Sequence, residues 1–99
     1  MIVSLDDKSK RVRQWYKNHV YYMFRFRKSL EHNYNSQETR HLENKVNQHM
    51  NSGKRLGLSP DEMRSFNLAI IKEMGSSKNL QRKDPKAIIK TLIRENSQK

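Results

Sequence analysis

Between Val12 and Leu30, apolar residues recur every three or four positions along two adjoining lines. Val12, Tyr16, Val20, Met23 and Leu30 form one, and Trp15, His19, Tyr22 and Phe26 the other. That spacing keeps side chains on one face of an α-helix. From His19 to Phe26 the segment is apolar nearly all round, as expected of a helix packed on several sides. A chain of 99 residues organised around such a helix is one domain, and its natural architecture is an all-α bundle.

Helix start and stop signals divide the rest. Ser4 ahead of Asp6 and Asp7 places a cap and two carboxylates at the positive end of a helix dipole, predicting a long first helix over about 5–32 that ends at His32-Asn33-Tyr34-Asn35. A second helix follows over 36–51, with Asn35 or Ser36 as cap, Glu38 in its first turn and Leu42, Val46 and Met50 as its apolar line. Gly53 has the backbone freedom to close it. Ser59-Pro60-Asp61-Glu62 combines a cap, a proline at the first helical position and a capping-box glutamate, and opens a third helix over 60–74 carrying Met63, Phe66, Ile70 and Met74. Asp84-Pro85 repeats the cap-then-proline pattern for a fourth over 85–95, with Ile88, Ile89, Leu92 and Ile93. The predicted organisation is a three-helix core in 1–77, then 78–99 as a basic linker and a C-terminal helix that docks on the core or swings as an arm. No strand pattern competes, because Phe24-Arg25-Phe26-Arg27 alternates only within a longer helical period.

Two local resemblances fall within these segments. Met23-Phe24-Arg25 resembles the start of the Leu-Tyr-Arg motif of mitochondrial LYR proteins, but Phe26-Arg27-Lys28 stands where paired leucines belong, and nothing is carried over. The second helix, loop and third helix are similar in layout to helix-turn-helix proteins, with nine residues, Asn51 to Ser59, in place of the usual three or four.

Composition limits the chemistry. Hydrophobic residues make up 33 per cent, so the core is thin and a partner or second copy would strengthen it. No cysteine is present, which removes disulfides and thiolate ligands and fits a reducing, intracellular setting, cytoplasmic or nuclear. The early Asp6 and Asp7 leave no signal-peptide apolar region, and the longest apolar run, Val20 to Phe24, is far below the ~20 residues that span a bilayer.

Six of the ten carboxylates, Asp6, Asp7, Glu38, Asp61, Glu62 and Asp84, sit at predicted helix starts, where capping accounts for them; Glu31, Glu43, Glu73 and Glu95 are scattered singly. No acid–base pair emerges, so the expectation is a non-enzymatic protein. His19, His32, His41 and His49 lack the four-residue spacing with an adjacent glutamate that zinc hydrolases use, and His19 reads as a packed histidine of the first helix. No glycine-rich phosphate loop is present, and no cofactor or metal is expected.

The strongest functional signal is charge: 21 Lys and Arg against 10 Asp and Glu, a formal +11. Such an excess favours polyanionic partners. Lys10, Arg13, Lys17, Arg25 and Lys28 follow helical spacing on the first helix; Lys54 and Arg55 lie before the third; Arg82, Lys86, Lys90 and Arg94 step by four, with the last three stacked cation above cation on the fourth. Like charges at that spacing repel, a cost an anionic partner relieves. The aromatics crowd the first helix, and Tyr21 and Phe24 are expected to reach the surface as contact residues. These residues point to a small basic protein that binds nucleic acid, DNA or RNA, mainly through phosphates. The alternative is a helical interaction module docking an acidic or phosphorylated protein. Homodimerisation through the first helix is compatible with both, and the competing explanation of the cations is an ordinary solvated face.

Overall fold

The computed structural model describes residues 3–6, 8–32, 37–75 and 84–94. They form β1 (Val3–Ser4), α1 (Lys10–His32), α2 (Gln37–Arg55), α3 (Pro60–Met74), α4 (Pro85–Leu92) and β2 (Ile93–Arg94). The fold is a small all-α bundle with one short strand pair added. No helix among the described residues is long and apolar enough to cross a membrane. The expected linker 78–83, the caps Asn35 and Ser36 and the end of the chain beyond Arg94 lie outside the described residues.

The first helix begins later than its cap signal implies. Ser9, not Ser4, precedes α1, its hydroxyl accepting from the Val12 amide at 3.3 Å and its carbonyl from the Arg13 amide at 3.0 Å. Val3 and Ser4 instead pair in parallel with Ile93 and Arg94, and the Leu5 amide donates to the Arg94 carbonyl at 2.8 Å. Val3 and Leu5 are buried while Ser4 is exposed, a two-residue alternation. Burying two aliphatic side chains outweighs one exposed cap. The same pairing ends α4 at Leu92 and puts Ile93 and Arg94 in a strand.

The end of α2 corrects a second expectation. The helix runs through Gly53 to Arg55, and Gly57, at φ +99°, takes the left-handed position. The Leu58 amide donates to the Gly53 carbonyl and the Gly57 amide to the Lys54 carbonyl, both at 3.0 Å, forming a Schellman motif whose apolar follower, Leu58, is buried. Gly53 serves a different purpose: a Cβ there would lie 2.8 Å from Met63 Sδ and 2.9 Å from the Trp15 ring. The connection to α3 is thus four residues, Leu56 to Ser59, rather than nine. At its end the Ser59 hydroxyl accepts from the Glu62 amide and the Glu62 carboxylate from the Ser59 amide, both at 3.0 Å, completing the capping box.

The core gathers around α1. Tyr16, Val20 and Met23 join Met63, Phe66, Ile70 and Met74 of α3 and Ile88 and Leu92 of α4, so the fourth helix is docked. Asp84 caps α4, its side chain accepting from the Lys86 amide at 2.9 Å. α2 runs antiparallel to α1 in a register that sets Trp15 against Gly53, His19 against His49 and Ser29 against Thr39.

Candidate nucleic-acid interface

Seven Lys and Arg lie on α1 against one carboxylate, Glu31 near its end. Lys10, Lys17, Tyr21, Arg25 and Lys28 fall on one outward line by three-and-four spacing, about 27 Å long at 1.5 Å per residue. Lys10 and Arg25 are exposed and the other three half-buried. Lys28 Nζ stands 5.6 Å from the centre of the Phe24 ring. Arg13 does not join this line: its Nε donates to the Lys8 carbonyl at 3.0 Å, tying the guanidinium to the turn before the helix. Phe24 does not reach the surface either. It follows Tyr16 and Val20 at four-residue steps, widening the first apolar line, and is buried with them.

Beside this line, α1 and α2 border a shallow, open cleft of about 540 Å³. Arg11, Gln14, Trp15 and Asn18 line it from α1, His49, Ser52 and Arg55 from α2, with Leu56 beyond. Asn18 is shared with a smaller cleft of about 230 Å³ formed by Tyr21, Tyr22 and Arg25. The two make one run along the flank of α1, and no carboxylate lines either. Arg55 lines the larger cleft, its Nη2 3.4 Å from Ser52 Oγ, whereas Lys54 is exposed outside the lining. Lys86, Lys90 and Arg94 are exposed on α4 and β2; with Arg94 in a strand, only Lys86 and Lys90 stack on a helix. Arg82 lies outside the described residues. Arg11, Gln14 and Asn18 were missed because none belongs to an apolar stripe or a four-step cation series.

The floor of the cleft is an aromatic and imidazole cluster. His19 and His49 are almost coplanar, 13° apart with ring centres at 5.1 Å, and both stack on Trp15 at 4.5 and 4.8 Å. The Trp15 indole N–H donates to the His49 carbonyl at 2.7 Å. The Asn67 amide nitrogen turns toward Met50 Sδ at 3.7 Å, which leaves its oxygen to face His19 Nε2 at 2.5 Å. In this assignment His19 carries its proton on Nε2, and its bare Nδ1 accepts from His49 Nδ1–H at 2.9 Å. His49 Nε2 is then an acceptor. Burial holds both imidazoles neutral, lowering each pKa from 6.5 to about 4, with the charge of His19 adding to the effect at His49 and the Asn67 hydrogen bond opposing it at His19. Among the described residues no three His, Cys, Asp or Glu side chains converge as a metal site would require.

No family model, curated protein or solved structure matches this chain.

Proposed function

We propose that this protein binds nucleic acid, DNA or RNA, mainly through phosphates and without catalysing a reaction. One observation carries the reading: the outward line of α1, with Arg11 and Arg55 beside it, presents cations over about 27 Å with no carboxylate in either adjoining cleft. Phosphates spaced along a strand are the common polyanion suited to such a row. Lys86, Lys90 and Arg94 add exposed positive charge. The absence of cysteine fits a reducing compartment, cytoplasmic or nuclear, where such a protein would meet its ligand.

The test is binding of mixed-sequence nucleic acid between about 50 and 200 mM salt. Affinity should fall steeply as salt rises, because every neutralised phosphate releases condensed counterion. No binding even at the lowest salt sinks the reading.

A second reading, docking of an acidic or phosphorylated protein, is favoured by one other feature. Leu68 and Ile71 are exposed on α3, and Ile71 borders a largely apolar dimple of about 130 Å³ formed with Met23, Phe26, Leu30 and Met74 and edged by Arg27. Pull-down with and without nuclease separates the two: a partner that survives digestion and high salt favours protein docking.

A further inference from the structure

The cleft between α1 and α2 differs in kind from the cationic line beside it. A solvated phosphate-binding face needs only charge. This flank offers guanidiniums at both ends, with Arg11 and Arg55 at one and Arg25 about 21 Å away along α1 at the other. Between them stand uncharged groups that read hydrogen-bond patterns. Gln14 Nε2 donates to Asn18 Oδ1 at 2.9 Å, which fixes the two amides against each other and leaves the Gln14 oxygen as an acceptor and the Asn18 nitrogen as a donor. Trp15, His49 and Tyr22 form a connected set of rings along the same flank, the last two with centres 4.9 Å apart, and Tyr21 is half-exposed next to Arg25.

We infer that this flank is a single-strand site, in which the bases of a run of about four nucleotides lie against the Gln14–Asn18 amide pair and the tyrosines while the phosphates run to Arg11, Arg55 and Arg25. The inference rests on the nucleic-acid reading above and narrows it. In a duplex the base faces are stacked and out of reach; an unpaired strand exposes both ring faces and Watson–Crick edges to amides and aromatic rings. The four-residue turn from α2 to α3 invites a duplex alternative with α3 as the inserted helix. Such a helix contacts DNA through its N-terminal residues, and α3 begins with Asp61 and Glu62, which repel phosphates.

The closing experiment compares a labelled single strand of about twelve mixed-sequence nucleotides with the same strand annealed to its complement, at about 50 mM salt. Trp15, the one tryptophan of the chain, lines the cleft and supplies a second readout. The single strand should bind at least ~10-fold more tightly and change the Trp15 fluorescence as it titrates. The variant Asn18→Ala, Tyr21→Ala should lose about 10-fold of single-strand affinity with the salt slope unchanged. Lys86→Ala, Lys90→Ala should do the reverse, weakening both ligands alike and flattening the slope. Should the tyrosine change lower the melting temperature, Arg11→Glu at an exposed position takes its place, with a loss for the single strand expected to exceed that for the duplex. Equal or tighter duplex binding, or unchanged affinity in the cleft variants with silent Trp15 fluorescence, overturns the single-strand site and leaves the broader reading standing. Failure of both ligands to bind overturns both.

Discussion

α1 is held on its two sides by different chemistry. Toward α3 and α4 the contacts are apolar apart from the His19–Asn67 hydrogen bond: Phe66, Ile70 and Ile88 are sealed from solvent, and the Tyr16 and Phe66 rings meet edge-on at 4.8 Å. Toward α2 the apolar residues Leu42, Val46 and Met50 are only half-buried, and the α2 residues that are fully enclosed are Thr39 and Gly53. The seam is closed instead by polar and ring contacts, Trp15 to the His49 carbonyl, His19 to His49 and Ser29 to Thr39. Burial without direction gives stability on one side, while directed hydrogen bonds fix one register on the other. The cleft between α1 and α2 opens on this polar seam, where side chains are held in defined orientations without being sealed in.

The sharpest way to break this contrast is truncation on each side. Phe66→Ala should cost about 3–5 kcal/mol, a large share of the stability of a domain this size, whereas Val46→Ala on the half-buried seam should cost about 1 kcal/mol or less. Denaturant midpoints report both, and equal losses would mean that the two sides carry equal weight.

A smaller effect belongs to the seam and depends on pH. The unfolded chain takes up protons on His19 and His49 as pH falls through about 6.5, whereas the folded chain keeps both neutral down to about 4. In that window the unfolded state binds more protons, so stability declines as pH falls from 6.5 to 4 and is unaffected by these groups above about 7. Urea midpoints at neutral and mildly acidic pH measure the decline, which should shrink in His19→Gln, His49→Gln. A parent midpoint that does not move over this range would show the pair titrating as in water.

Smaller again is the effect of Gly53→Ala. In an open helix this change stabilises by roughly 0.5–1 kcal/mol. Here the new methyl meets the rigid Trp15 ring at 2.9 Å, so a net loss of about 1–3 kcal/mol is expected, read by thermal unfolding. A gain would show that the seam opens freely.

The same division explains what could be read from the residues alone. The helical bundle and the capping box of α3 were legible because periodicity and capping are local. Gly53 carries the residue type of a helix stop, and only the approach of Trp15, 38 positions earlier, separates its packing role from the turn geometry that falls to Gly57. Ser4 carries the local signature of a cap, and the strand partner that competes for it lies ninety positions away. Of the candidate residues, Tyr21, Arg25 and Arg55 line the two clefts and Lys10, Lys17 and Lys28 share the outward line of α1, whereas Arg13 and Phe24 do not. Gln14 and Asn18 could not be singled out, because an exposed amide has no pattern until a neighbouring helix forms a wall beside it.

The pairing of Val3 with Ile93 also bears on the order in which the molecule assembles. Closing ninety residues of chain in one step costs about 4 kcal/mol of loop entropy beyond a constant, more than two strand residues return. Most of that cost is already met once Ile88 and Leu92 have seated against the core, so the strand forms after α4 docks. It is correspondingly the first contact to open, and amide exchange at Leu5, whose hydrogen bond goes to the Arg94 carbonyl, would run ahead of exchange in the middle of α1.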